Sequence, residues 1–154
     1  MNSMYPRSVP RSILFAGIAA WASFACPAIA DAASAHPIAN PCKLLTQAEI
    51  SVALGMKFGA GELTHPGLPR CRFLTASQDE VFIDVVDPGM FDAYAHGATP
   101  MAGIGDKALW AHDRFSSDVY IVKGGNMVTL GLPRSVSRMT PALANLAKLV
   151  ASRM

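Results

Sequence analysis

Val119-Tyr120-Ile121-Val122-Lys123-Gly124-Gly125-Asn126-Met127-Val128-Thr129-Leu130-Gly131-Leu132 decides the fold. Two runs rich in β-branched and aromatic residues flank Gly124-Gly125-Asn126, a segment able to reach the positive φ angles that a tight hairpin demands. A connection this short joins its strands antiparallel, so the sheet built on it is antiparallel. Working upstream, Lys107 to His112 is an extended segment carrying Leu109 and Trp110, separated from the hairpin by a turn at Asp113 to Ser117. Val81-Phe82-Ile83-Asp84-Val85-Val86 is apolar on both faces apart from Asp84, the pattern of a central strand. Before it, Cys71, Phe73 and Thr75 line one side of a strand that follows the turn Pro66-Gly67-Leu68-Pro69, and the glycine-broken stretch from Met56 to Thr64 predicts an edge strand.

Three helices punctuate these strands. Thr46-Gln47-Ala48-Glu49 spells a capping box, and Ile50, Ala53 and Leu54 follow at helical spacing, which predicts a helix over 47–54 stopped by Gly55. Asp87-Pro88 pairs an N-cap with a proline at the first helical position, and Phe91, Tyr94 and Ala95 share a face before Gly97. Thr140-Pro141 opens a last helix with an apolar stripe of Leu143, Leu146, Ala147 and Val150. Thr99 to Asp106 reads as a glycine-punctuated loop. The expectation is an α+β fold, an antiparallel sheet of about six strands with three helices in the order α-βββ-α-βββ-α.

The first thirty residues are of another kind. Arg7 and Arg11 precede an apolar run from Ile13 to Phe24, and Ala28-Ile29-Ala30 places small residues where a signal peptidase reads them, so residues 1–30 are expected to be a signal peptide. The run is too short to cross a hydrocarbon core of roughly 30 Å. Cleavage is expected after Ala30, with Ala33-Ser34-Ala35 as a second site; residues 31–40 read as a flexible leader and 41–154 as one domain. Cys26 closes the apolar run, where bacterial lipoproteins carry their lipid, but Ser23-Phe24-Ala25 lacks the branched aliphatic residue usual there. A lipid anchor through Cys26 is the alternative to its loss with the signal. Two cysteines then remain, Cys42 and Cys71, 29 positions apart, and an even pair in an oxidising compartment reads as a disulfide, worth about 3 to 4 kcal/mol in the chain-entropy model. Of 13 basic residues two leave with the signal, which balances the rest against 11 acidic ones. A neutral chain excludes nucleic acid and anionic membrane as partners selected by charge. The mature chain is expected in the periplasm or outside the cell, with no membrane-spanning segment.

Little here carries chemistry. Gly103-Ile104-Gly105-Asp106 has the glycines of a phosphate cradle but no helix after it, and reads as a tight turn. His36, His65, His96 and His112 form no HxH or HxxxH pair, and no metal, cofactor or catalytic residue is assigned. Asp84, in the most apolar strand, either faces the core with its pKa raised by desolvation, or is partly solvated or paired with an arginine or lysine on a neighbouring strand. Neither Ser77 nor Ser116-Ser117 sits in a nucleophile elbow. Trp110, Phe115 and Tyr120 fall on adjacent strands, a candidate surface for a peptide, glycan or protein partner.

Cys42-Lys43-Leu44-Leu45-Thr46 leading into Glu49, Ala53-Leu54-Gly55, Cys71 before Phe73, and Gly103-Ile104-Gly105-Asp106-Lys107-Ala108 together resemble the exported or lipid-anchored bacterial domains of the Cys-x-Leu-Leu-Thr … Gly-x-Gly-Asp type, a domain-of-unknown-function group familiar from actinobacterial lipoproteins and similar in fold to PsbP-like and Mog1-like domains. The resemblance implies an exported, disulfide-closed, non-enzymatic domain and names no ligand. The expected function is a binding or interaction module of the envelope. The alternatives are a small secreted hydrolase using His112, Asp113 and a serine, and a proteinaceous inhibitor presenting a concave sheet face.

Overall fold

The computed structural model describes residues 37–64, 69–114 and 117–154. The proposed signal peptide, Cys26, His36, His65 and Phe115 therefore lie outside the described residues. The chain runs α1 (Gln47–Leu54), β1 (Glu62–Thr64), β2 (Arg70–Leu74), β3 (Glu80–Val86), α2 (Phe91–Tyr94), β4 (Thr99–Pro100), β5 (Lys107–His112), β6 (Ser117–Lys123), β7 (Asn126–Leu132) and α3 (Pro141–Arg153), with short 3-10 turns at Pro41–Lys43 and Pro88–Met90.

β6 and β7 pair from Ser117↔Leu132 to Lys123↔Asn126, leaving Gly124 and Gly125 as a two-residue turn with φ of 55° and 77°. Both angles are costly for residues with a Cβ, which is why glycines stand there. All strands are antiparallel, in the order β1-β2-β3-β7-β6-β5-β4. The fold is the expected α+β class with one strand more. Thr99–Pro100, read from sequence as loop, pairs with Leu109 and Trp110 at the outer edge, where the missing proline N–H costs no ladder bond. The stretch from Met56 to Thr64 yields a strand only over its last three residues, Phe58 making a lone pairing with Thr75. Gly61 packs so closely on the Phe73 ring and Cys71 Sγ that a Cβ would overlap them.

Side-chain alternation gives the sheet two unlike faces. Phe73, Val81, Ile83, Val119, Ile121, Val128 and Leu130 bury one face under α1 and α3, which contribute Ile50, Leu143, Leu146, Ala147 and Val150. The other face carries a smaller cluster in which Phe91 of α2 covers Leu109, Tyr120 and Met127. α2 is one turn long, and among the described residues its cluster covers this face over β5, β6, the near part of β7 and the end of β3 at Val86.

The ends of the core are fastened by specific bonds. Thr46 Oγ1 accepts from the Glu49 N–H at 3.3 Å, and the Thr46 N–H donates to Glu49 Oε2 at 2.8 Å, completing the capping box. Arg153 at the end of α3 grips the same carboxylate with two bonds of 2.7 and 2.9 Å and donates to the Leu44 carbonyl. That guanidinium holds the Glu49 carboxyl down at about 2, against 4.5 normally. A disulfide joins Cys42 to Cys71, tying the 3-10 turn ahead of α1 to β2. In the Gly103 to Asp106 turn, Asp106 Oδ2 accepts the Gly124 N–H at 2.8 Å while its own N–H donates to the Val122 carbonyl. This glycine-rich stretch is thus a clamp on the hairpin. Among the described residues no helix is long and apolar enough to cross a membrane.

Candidate functional site

The second sheet face is half open, and its strand register lays out two rows of side chains. One row runs Glu62, Arg72, Phe82, Gly131, Asp118; the next runs Arg70, Asp84, Thr129, Tyr120. Cross-strand partners share a face, so these residues are neighbours in space. Over β2 and β3 they are only partly buried, and Glu62 on β1 is exposed.

Asp84 meets a cation of the adjoining strand: Arg70 Nε and Nη2 donate to its two carboxylate oxygens, each at 2.6 Å. This bidentate pair is the second of the two outcomes expected of Asp84, and the carboxylate keeps the Arg70 guanidinium more firmly protonated than in water. The same guanidinium lies over the Phe82 ring, 4.4 Å from its centroid. Phe82 in turn fills the place that a side chain at position 131 would take, since a Cβ on Gly131 would overlap the ring. The glycine in this otherwise largely apolar strand thus seats an aromatic from the neighbouring strand. Beside it, Glu80, Phe82, Asp118 and Arg134 border a cleft of about 510 Å³ at the end of the sheet.

Arg72 stands differently from Arg70. Among the described residues its Nε is buried without an acceptor, and Glu62 Oε2 stands 4.0 Å from it.

Of the aromatic residues expected to form a partner surface, Phe115 lies outside the described residues, and Trp110 and Tyr120 lie on opposite faces of the sheet. Trp110 packs against the α1/α3 side and stacks on His112 at 5.9 Å, whereas Tyr120 is buried on the opposite face against Tyr94, ring centroids 4.4 Å apart. Neighbouring strand positions of opposite parity point to opposite faces. Burial, with Asp118 nearby, pushes the Tyr120 hydroxyl up to about 12. His112 lies across from Ser117, but Ser117 is fully buried and its hydroxyl receives the Trp110 indole N–H at 3.5 Å. A hydroxyl so placed is a structural acceptor out of reach of a substrate from solvent. On the other side of the molecule, Ala48, Val52, Ala142 and Leu149 line an apolar groove of about 450 Å³ between α1 and α3.

Sequence reasoning missed Arg70, Arg72 and Phe82. Arg70 and Arg72 alternate with buried Cys71 and Phe73, a period-2 signal that one face of β2 is charged. Comparison with family models, with curated proteins and with solved structures returned no match.

Proposed function

We propose that this protein is an exported binding module of the bacterial periplasm or cell envelope, engaging a partner chain on the open half of its second sheet face. The observation that carries the reading is the contrast between the two faces: one is sealed by two helices, while the other leaves Arg70, Arg72, Phe82 and Asp84 partly in water beside a cleft. A rigid sheet displaying a held ion pair and a seated aromatic loses little side-chain freedom on association, which favours binding. Export is supported by Arg7, Arg11 and the apolar run after them, and by the Cys42–Cys71 bond, a device of oxidising compartments. The resemblance to exported bacterial domains points the same way.

The test is a photo-crosslinking amino acid placed at Phe82 or, as control, at Val52 in the α1/α3 groove, with irradiation in the producing cells. A discrete adduct from position 82, absent from position 52, is expected. Adducts from position 52 alone, or uncrosslinked monomer throughout, would refute the assignment of the face.

A further inference from the structure

The two edges of the sheet differ, and the difference carries an inference that rests on the reading of the open face just given. At the far edge β4 is two residues long and ends in Pro100, which has no N–H to offer another strand. At the near edge β1 has neither proline nor lysine, and among the described residues Glu62–Thr64 pairs with β2 on one side only. Its outward N–H and C=O groups are a template for a further strand. Gly59, Ala60 and Gly61 run up to it, exposed and without the bulk to block an approach. The side chains on this edge are unsatisfied in the same direction. Leu63, across from Cys71 on the helix-covered side of the sheet, is 53 % exposed. Glu62, on the open face, is 69 % exposed; Arg72 stands 4.0 Å from it on the inner side, and no second cation bridges it among the described residues.

We infer that β1 is the docking edge for an extended segment of the partner chain, added antiparallel as a further strand, with an aliphatic residue across from Leu63 and a lysine or arginine across from Glu62. Antiparallel addition continues the pairing already present in the sheet and gives the more stable ladder. The surroundings set the sign of the partner's charge. On the open face the carboxylates of Glu62, Glu80 and Asp84 outnumber the guanidiniums of Arg70 and Arg72, and Arg70 is already held by both oxygens of Asp84. A cation beside Glu62 therefore lies in a negative field, and cross-strand pairs of opposite charge stabilise a ladder. A second copy in the same arrangement would set Glu62 against Thr64 across a two-fold axis at Leu63, leaving both carboxylates without a cation on the outer side. An antiparallel partner passes Thr64 first and Glu62 last, so its sequence is a hydroxyl residue, an aliphatic residue and a base, as in Thr-Val-Lys.

The experiment records the backbone amide resonances of the purified, oxidised protein by NMR during titration with acetyl-Gly-Thr-Val-Lys-Gly-amide. One comparison peptide carries Glu in place of Lys; another carries N-methyl groups on Thr, Val and Lys, which remove backbone donors and keep the side chains. Saturable shifts at Glu62, Leu63 and Thr64 are expected with the first peptide alone, spreading to Cys71 and Arg72 and leaving Thr99 and Trp110 still. Glu62→Lys should weaken its binding by roughly fivefold and let the Glu peptide bind in its place. Leu63→Lys should abolish the shifts while leaving the melting temperature near its original value, because the position is exposed. No saturable shift, an equal response to the N-methylated peptide, or a Glu62→Lys protein that keeps its preference for lysine overturns the inference. Slow hydrogen exchange at every amide of β1 without peptide also overturns it, the edge then being filled by a second copy if dilution releases it, or by the chain's own residues before Pro37. A position-82 crosslink lost in Leu63→Lys supports the docking edge, whereas one that persists would leave the binding face standing and remove only the added strand.

Discussion

Glu49 shows how much one side chain can join. Its carboxylate closes the first turn of α1 through the Thr46 N–H and receives both arms of Arg153 from the far end of the chain. The cap was legible in sequence because Thr46 and Glu49 lie three positions apart; the Arg153 contact was not, because only the packing of α3 on α1 brings residues 104 positions apart together. The pH dependence follows from the direction of the shift. The folded-state pKa of about 2 lies below the ordinary 4.5, so the stabilisation is complete above about pH 4.5 and is lost as the pH falls toward 2. Both partners are about one-third exposed, so solvent screening brings the contribution to about 1 to 2 kcal/mol, cap included. Glu49→Gln should lower stability by that amount at pH 7, and melting curves of the two proteins should converge as the pH approaches 2. A difference that stays constant down to pH 2 would show that the carboxylate charge has no part in it.

At the scale of elements, strands and helices followed from period and punctuation wherever the signal was local. The β6–β7 turn, the central character of β3 and the apolar stripe of α3 all appear as read. β4 escaped because two residues, one of them proline, give no alternation to detect. The separation of Trp110 from Tyr120 escaped for another reason: each strand's parity was readable, but which face each parity met depended on the register Trp110↔Val119, which is a property of the pair. The disulfide acts at this scale, between the 3-10 turn before α1 and β2. Replacing both Cys42 and Cys71 with serine should cost about 2 to 4 kcal/mol by denaturant titration. The Arg70–Asp84 pair belongs to β2 and β3 alone, so the open face should keep its crosslinking pattern. Unchanged stability of the double variant would show that the bond does not constrain the unfolded chain.

For the molecule as a whole, class and layers could be read from the sequence, but the strand order could not. Nothing local says that β7 returns to lie against β3, because that pairing is decided by which apolar faces complete one core under α1 and α3. The same non-local step left the open face unread: Phe82, Gly131 and Asp118 form a row only once β3 and β7 are neighbours. The order β1-β2-β3-β7-β6-β5-β4 also has a consequence in time. The middle of the sheet is a seam between two meanders, and its second lip is the last strand to be made. Until β7 docks, β3 presents a bare ladder of N–H and C=O groups, and α3 has no completed sheet on which to settle. Closing so long a loop is entropically slow, placing folding in the millisecond-to-second range rather than the microsecond range of local hairpins. In pulsed hydrogen exchange during refolding, the amides of Asp84, on the β7 side of β3, and Val150 should gain protection in one slow phase. Early protection at Asp84 with Val150 still exchanging would show that the seam is sewn before α3 settles.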